Sequence, residues 1–224
     1  MKLKVVITGA TGMVGKGVLL ECLDSENIDS VLLINRRSID MEHDKLKEIV
    51  HQDFYDLSSI EDQLKGYDAC FFCLGVSAYR MSEEDYTKIT YDLTLHFANT
   101  LIKLNPEITF CYVSGQGTDG SEEGRIMWAR VKGKTENAIL GMPFKKSYMF
   151  RPGFIQPLRG IKSSTKMYNT MYAIINPFMP VLKLLFSKSI TNTDRVGKAM
   201  INSVTSGYDK THLDNKDINQ LAEG

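Results

Sequence analysis

The chain has 224 residues, and lysine plus arginine equals aspartate plus glutamate at 27 each, so the formal net charge is zero. A chain of this length makes one domain with at most a small appendage, and it buries a large core without disulfide or metal support. The charge balance argues against a nucleic-acid binder held by bulk positive charge, and four cysteines are too few for a disulfide scaffold.

The chain opens with a short apolar strand over 5–7 that runs into a glycine turn, then a helix over 14–23. A signal peptide looks different, so the expected compartment is the reducing cytoplasm. A continuous apolar strand follows at 30–35 and an alternating one at 46–51. Ser58 or Ser59 caps a short helix over 58–64. The strand at 68–74 carries Cys70 and Cys73, whose side chains alternate across it. These thiols read as small core residues; a redox or metal pair would need both on one side. A long helix spans 82–104, with Ser82 and Asp85 as a capping pair and Asn105-Pro106 as its stop. A strand at 108–113, a helix at 122–140 ended by Gly141, and a strand at 147–151 complete the series.

Strands alternating with helices predict an α/β fold: a doubly wound parallel sheet with helices on both faces. The remainder divides into a small helical cap over 154–192 and a C-terminal helix and strand over 193–224 that return to the core of 1–153. Thr193 is the expected N-cap of the helix over 193–204. Residues 166–186 are apolar and about long enough to cross a bilayer. Asn176-Pro177, Pro180 and Lys183 argue against a span. A buried cap comes first, ahead of a homodimer face or a membrane-surface contact. The four histidines, His43, His51, His96 and His212, show no metal spacing.

Thr8-Gly9-Ala10-Thr11-Gly12-Met13-Val14-Gly15 follows the first strand and opens the first helix. In that context Gly9 makes the turn, Gly12 admits a pyrophosphate to the helix N-terminus, and Gly15 packs helix on strand. Thr11, Met13 and Val14 complete the backbone cradle, so a Rossmann dinucleotide site is expected. The residue that reads the ribose comes at the end of the second strand, here Asn35-Arg36-Arg37. No carboxylate stands there to favour a free 2′-hydroxyl, and two guanidiniums suit a phosphate. NADP (NADPH) is therefore the expected cofactor. Asp53 and Phe54 are placed to meet the adenine edge and face, with Asp53 alternatively a turn residue. Leu74 and Gly75 are placed to pass under the nicotinamide side.

Together with Val113-Ser114-Gly115, Arg130-Val131-Lys132-Gly133-Lys134-Thr135-Glu136 and Arg151-Pro152-Gly153, these stretches resemble the short-chain dehydrogenase/reductase superfamily. The resemblance is greatest to its atypical branch of TIP30-like and NmrA-like proteins, often called NAD-dependent epimerase/dehydratase. It implies a catalytic Ser at Ser114 and a catalytic, cofactor-holding Lys at Lys132. The implied Tyr falls four residues before Lys132, where this sequence has Trp128, on the same helical face. Indole has no titratable proton near neutral pH, so the proton donor must be reassigned, with Tyr79, Tyr91 and Tyr112 as candidates. Two functions follow. One is an NADP-dependent oxidoreductase or epimerase-like enzyme on a small carbonyl substrate. The other is an NADP-sensing regulatory protein without turnover. A membrane-surface adaptor is a third.

Overall fold

The computed structural model describes residues 2–162 and 189–224. Nine strands and six α-helices are present among them. In chain order they are β1 (Leu3–Thr8), α1 (Met13–Asp24), β2 (Ile28–Asn35), β3 (Leu46–Val50), β4 (Ala69–Phe72), α2 (Glu83–Thr87), α3 (Leu93–Leu104), β5 (Thr109–Val113), α4 (Met127–Leu140), β6 (Lys146–Phe150), β7 (Phe154–Gln156), β8 (Ile190–Asn192), α5 (Thr193–Thr205), β9 (His212–Leu213) and α6 (Asn215–Ala222). A 3-10 helix (Ser58–Leu64) precedes β4.

Seven strands form one parallel sheet in the order β3-β2-β1-β4-β5-β6-β9. The order reverses between β1 and β4, and ligands of such sheets sit at that switch point, beyond the strand C-termini. Alternation of side chains divides the core into two layers. Val5, Ile7, Leu33, Phe71 and Phe150 pack under α1, α5 and α6; Val6, Leu32, Phe72, Phe110 and Met149 pack under α3, α4 and the 3-10 helix. The same alternation sends Cys70 into the second layer and Cys73 against the first, so these two thiols lie on opposite faces.

The predicted doubly wound sheet is present, with corrections at element ends. The expected helix over 82–104 is three pieces, because a π turn (Lys88–Asp92) interrupts it. Ser82 does cap it, accepting from the Asp85 amide at 3.1 Å. The helix expected over 122–140 begins only at Met127. Its would-be first turn is taken by Asp119, whose carboxylate accepts from the amides of Ser121 (3.0 Å) and Gly124 (2.7 Å). Neither Ser58 nor Ser59 caps the 3-10 helix: Leu57 holds that position without a side-chain bond, and Asp56 accepts from the Ser58 amide. Asn192, not Thr193, caps α5, and the Thr193 hydroxyl accepts from Leu158 N. The two ends of the expected helical cap are strands, β7 and β8, paired in parallel. These three-residue strands are too short to carry a periodicity. The apolar stretch 166–186 lies outside the described residues. No helix among the described residues is long and apolar enough to cross a membrane.

Candidate functional site

The C-terminal edge of the sheet carries two groups of functional side chains. The first surrounds β1 and β2. Gly9 has φ +74°, and a Cβ there would stand 2.6 Å from the Cys73 carbonyl and the Leu74 amide. A Cβ on Gly15 would stand 2.4 Å from the Gly9 carbonyl oxygen. Both positions therefore require glycine: one to turn under β4, the other to bring α1 onto the loop. Gly12 is the N-cap of α1, so no side chain caps this helix, and its first turn has no acidic residue. The orphan N–H groups of that turn form an anion-binding end. Thr11 is exposed, and Met13 and Val14 are half-buried beside it.

Arg36 and Arg37 are exposed past β2, and neither guanidinium has an ion-pair partner among the described residues. Asn35 is buried and donates from Nδ2 to Glu48 at 3.2 Å. Glu48 corrects the expectation that no carboxylate stands here. The parallel neighbour β3 delivers it from thirteen residues away. Its oxygens also accept from Ser38 Oγ at 2.6 Å and Ile39 N at 3.2 Å, so they fold the loop. A cleft of about 400 Å³ adjoins the loop, lined by Thr11, Gly12, Lys16, Ser38 and Lys162 among others. Lys16 and Lys162 carried no sequence signal, because nothing in their local spacing links them to the glycine turn.

Two expectations about the adenine end change. Phe54 is 2 % exposed and packs on Phe97, with ring centroids 5.9 Å apart. It is a core residue and has no face to offer a base. Asp53 is exposed and accepts from the Tyr55 amide at 2.8 Å, the turn role. Leu74 is half-buried, and Gly75 is exposed with open space around its Cα.

The second group joins β5, α4, β6 and β9. Ser114 follows β5, and its hydroxyl donates to Glu136 Oε1 at 2.5 Å. Glu136, on α4, is wholly buried. Arg151 Nε lies 3.1 and 3.0 Å from its two oxygens, and Arg151 Nη2 also donates to Oε2. His212 Nε2 stands 3.5 Å from the same Oε2. One turn before Glu136, Lys132 Nζ donates to the Ser114 carbonyl oxygen. Desolvation draws the Lys132 ammonium down to about 8, with Glu136 pulling the other way. Burial also pushes His212 down, helped by Arg151 and opposed by Glu136.

Two glycines lock the loop onto this cluster. A Cβ on Gly133 would stand 1.7 Å from the Asp119 carbonyl oxygen, and one on Gly153 would stand 2.1 Å from Gln116 Oε1. Trp128 lies over the same loop, its ring 3.5 Å from where a Gly117 Cβ would be. The three candidate tyrosines are elsewhere engaged. Tyr79 is 74 % exposed beside Arg80, the Tyr91 ring sits 4.6 Å from Lys134 Nζ, and Tyr112 is buried in the core with its phenol pushed up by desolvation. Sequence reasoning named Ser114, Lys132 and Trp128 but assigned nothing to Glu136, Arg151 or His212. The signal for Glu136 was its place one helical turn after Lys132.

A family profile described as the NAD dependent epimerase/dehydratase family matches residues 5–131, more than half the chain. The chain belongs to that family. The epimerase/dehydratase match covers both the glycine turn and Ser114, while Glu136, Arg151 and His212 fall beyond it. Among curated proteins, rat Protein HTATIP2 is 29% identical over 153 residues, 67% of this chain and 62% of that protein. Protein FMP52, mitochondrial, of Debaryomyces hansenii is 30% identical over 149 residues, 66% of this chain and 64% of that protein. The chain thus spans less than two thirds of either relative. Both support the atypical branch of short-chain dehydrogenases/reductases expected from the motifs. Several FMP52 proteins carry "mitochondrial" in their names, which overturns the cytoplasmic expectation.

The fold has solved counterparts. A UDP-N-acetylglucosamine 4-epimerase from Methanobrevibacter ruminantium, in complex with UDP-N-acetylmuramic acid, superposes with TM-score 0.66 at 17% identity, covering 96% of this chain and 76% of that one. A short-chain dehydrogenase/reductase from Saccharomyces cerevisiae gives TM-score 0.63 at 12% identity, covering 99% and 98%. At these identities they speak for the Rossmann fold.

Proposed function

We propose that this protein binds NADP(H) along the glycine turn and reduces a small carbonyl compound beside Lys132. The observation that carries the cofactor reading is the pairing of an uncapped α1 N-terminus with two guanidiniums at the end of β2 that have no ion-pair partner among the described residues. The first offers backbone N–H groups to a pyrophosphate. The second offers bidentate donors to a 2′-phosphate. Glu48 does not oppose this reading, since Asn35, Ser38 and Ile39 already occupy its oxygens. Lys16 and Lys162 add positive charge along the adjoining cleft. When bound, a reduced nicotinamide would supply a hydride; Gly9, residues 11–15, Arg36, Arg37, Leu74 and Gly75 would hold the dinucleotide, and Lys132 its ribose. Residues 1–153 then form the cofactor half.

The chain has one tryptophan, Trp128, beside the proposed site. Its fluorescence is therefore a direct reporter of binding. Titration should give a Kd for NADPH at least about tenfold below that for NADH, the worth of a charge-assisted contact. Equal affinities would refute the NADP assignment, and no response to either would refute the dinucleotide site. A second reading, a cofactor sensor without turnover, is favoured by Trp128 itself, which has no proton to give. Turnover of NADPH with an activated aldehyde separates the two.

A further inference from the structure

We propose that Lys132 is the proton donor of this site: its ammonium protonates the oxygen of the carbonyl substrate, the task that falls to tyrosine elsewhere in the superfamily. The proposal rests on the NADPH-dependent reduction proposed above, and it follows from an inventory of protons around Ser114. Trp128, one turn before Lys132, has a single N–H that does not titrate. The Ser114 hydroxyl points its own proton at Glu136. Arg151 is bound to both Glu136 oxygens and never deprotonates in a protein. His212 faces Glu136 Oε2 and is pushed toward its neutral form by desolvation and by Arg151.

Lys132 differs from all of these. Its ammonium has three N–H groups, and among the described residues its one bond goes to the Ser114 carbonyl oxygen. That bond pins Nζ at the C-terminal end of β5, the edge where ligands of such sheets lie. Of the other two protons, one would serve the nicotinamide ribose and one would face a substrate. The charged groups around it are Glu136 on its own helix, and Arg151 and His212 behind Glu136. Desolvation brings the ammonium to about 8, close to working pH, where a general acid is most effective.

A reduced nicotinamide, when bound, would supply the hydride, and with it both electrons of the new C–H bond, to the carbonyl carbon. The π pair of the C=O bond moves onto oxygen. That oxygen takes a proton from Lys132 Nζ, so an O–H bond forms and an N–H bond breaks. Lys132 is left as a neutral amine, held by its bond to the Ser114 carbonyl, and regains its proton from water.

Two measurements test this. The first needs no cofactor: ¹³Cε NMR of lysine-labelled protein, with Lys132 assigned by its loss in Lys132→Arg. Its midpoint should fall near 8; a midpoint near the ordinary lysine value of about 10.4 overturns the proposal. The second uses NADPH with 4-nitrobenzaldehyde as probe. Wild-type kcat should fall as pH rises through about 8, because the acid must be protonated. Lys132→Arg keeps the charge and the donors but cannot release a proton, so NADPH should still bind within about threefold while turnover falls by about 10²-fold or more. Full turnover in Lys132→Arg, with the same pH profile, overturns the role of Lys132 and leaves the cofactor reading intact. Bound NADPH with no wild-type turnover of the probe overturns the proposal together with the reductase reading, and leaves the dinucleotide site standing. Absence of NADPH binding overturns both.

Discussion

The two groups at the sheet edge are built on opposite plans. Around β1 and β2, donors are left open: the first turn of α1 has no side-chain cap, and Arg36 and Arg37 have no acidic partner among the described residues. Around β5 and β6, donors are consumed within the chain: Ser114, Arg151 and His212 all converge on one buried carboxylate. Open donors mark a surface that a ligand completes. Closed donors mark a clasp that holds a loop in place, with Lys132 as the member that keeps spare protons. The difference predicts that damage to the first group shows in binding, whereas damage to the second shows in stability.

The largest effect is expected at Glu136. Glu136→Ala leaves the Arg151 guanidinium without its carboxylate and Ser114 without its acceptor, and breaking a buried pair this way costs about 3–5 kcal/mol. Chemical denaturation measures it. Replacing both partners, as in Glu136→Leu with Arg151→Met, should recover much of that loss, since no buried charge is then unpaired. A loss below about 1 kcal/mol in Glu136→Ala would mean that the clasp is not a clasp.

Next comes Gly15→Ala. The new methyl meets backbone, the Gly9 carbonyl oxygen, which has no rotamer to move. Overpacking of this kind costs about 1–3 kcal/mol. The displaced turn should also weaken NADPH by more than about tenfold, a loss read from Trp128 fluorescence. Unchanged NADPH affinity would separate the glycine turn from the cofactor. The double variant Arg36→Ala, Arg37→Ala is expected to be milder on stability and selective on ligand. NADPH should weaken by roughly 10–100-fold and NADH by less than about threefold. Equal weakening would move the phosphate away from these arginines.

The same division explains what the sequence disclosed. The open group was legible because its parts are contiguous: a strand, a glycine turn and a helix in one run, and two arginines at the end of the next strand. What was lost there came from across the sheet. Glu48 reaches Asn35 through the β2–β3 pairing, and Phe54 looks available for a base until α3 is seen packing over it. The closed group was legible only as a resemblance. Ser114 and Arg151 directly follow β5 and β6, Glu136 lies in α4 and His212 in β9, and no periodicity links a strand end to a helix interior and a two-residue edge strand. The contacts give the motif physical content. Lys132 and Glu136 grip Ser114 from successive turns, Gly133 and Gly153 let the loop lie flat, and Arg151 closes the ring. Helix ends missed for the same reason: Asp119 holds the Ser121 and Gly124 amides in a turn where the helix over 122–140 was expected to begin.

The smallest expected effect is the one that best distinguishes a functional lysine from a structural one. In the folded chain Lys132 gives up its proton near 8, whereas in the unfolded chain it holds it to about 10.4. Between those values the unfolded state binds more protons, so wild-type stability rises with pH across that window. Below it the folded protein bears the full cost of keeping a desolvated cation. Lys132→Met removes that cost and loses one bond to the Ser114 carbonyl, a net gain of about 1–2 kcal/mol at pH 7. The gain should shrink as pH climbs through 8 and be gone above 10, as measured by denaturation at fixed ionic strength. A lysine kept for the fold would destabilise on removal, at every pH. One retained at a cost to stability is one that the chemistry of the site requires.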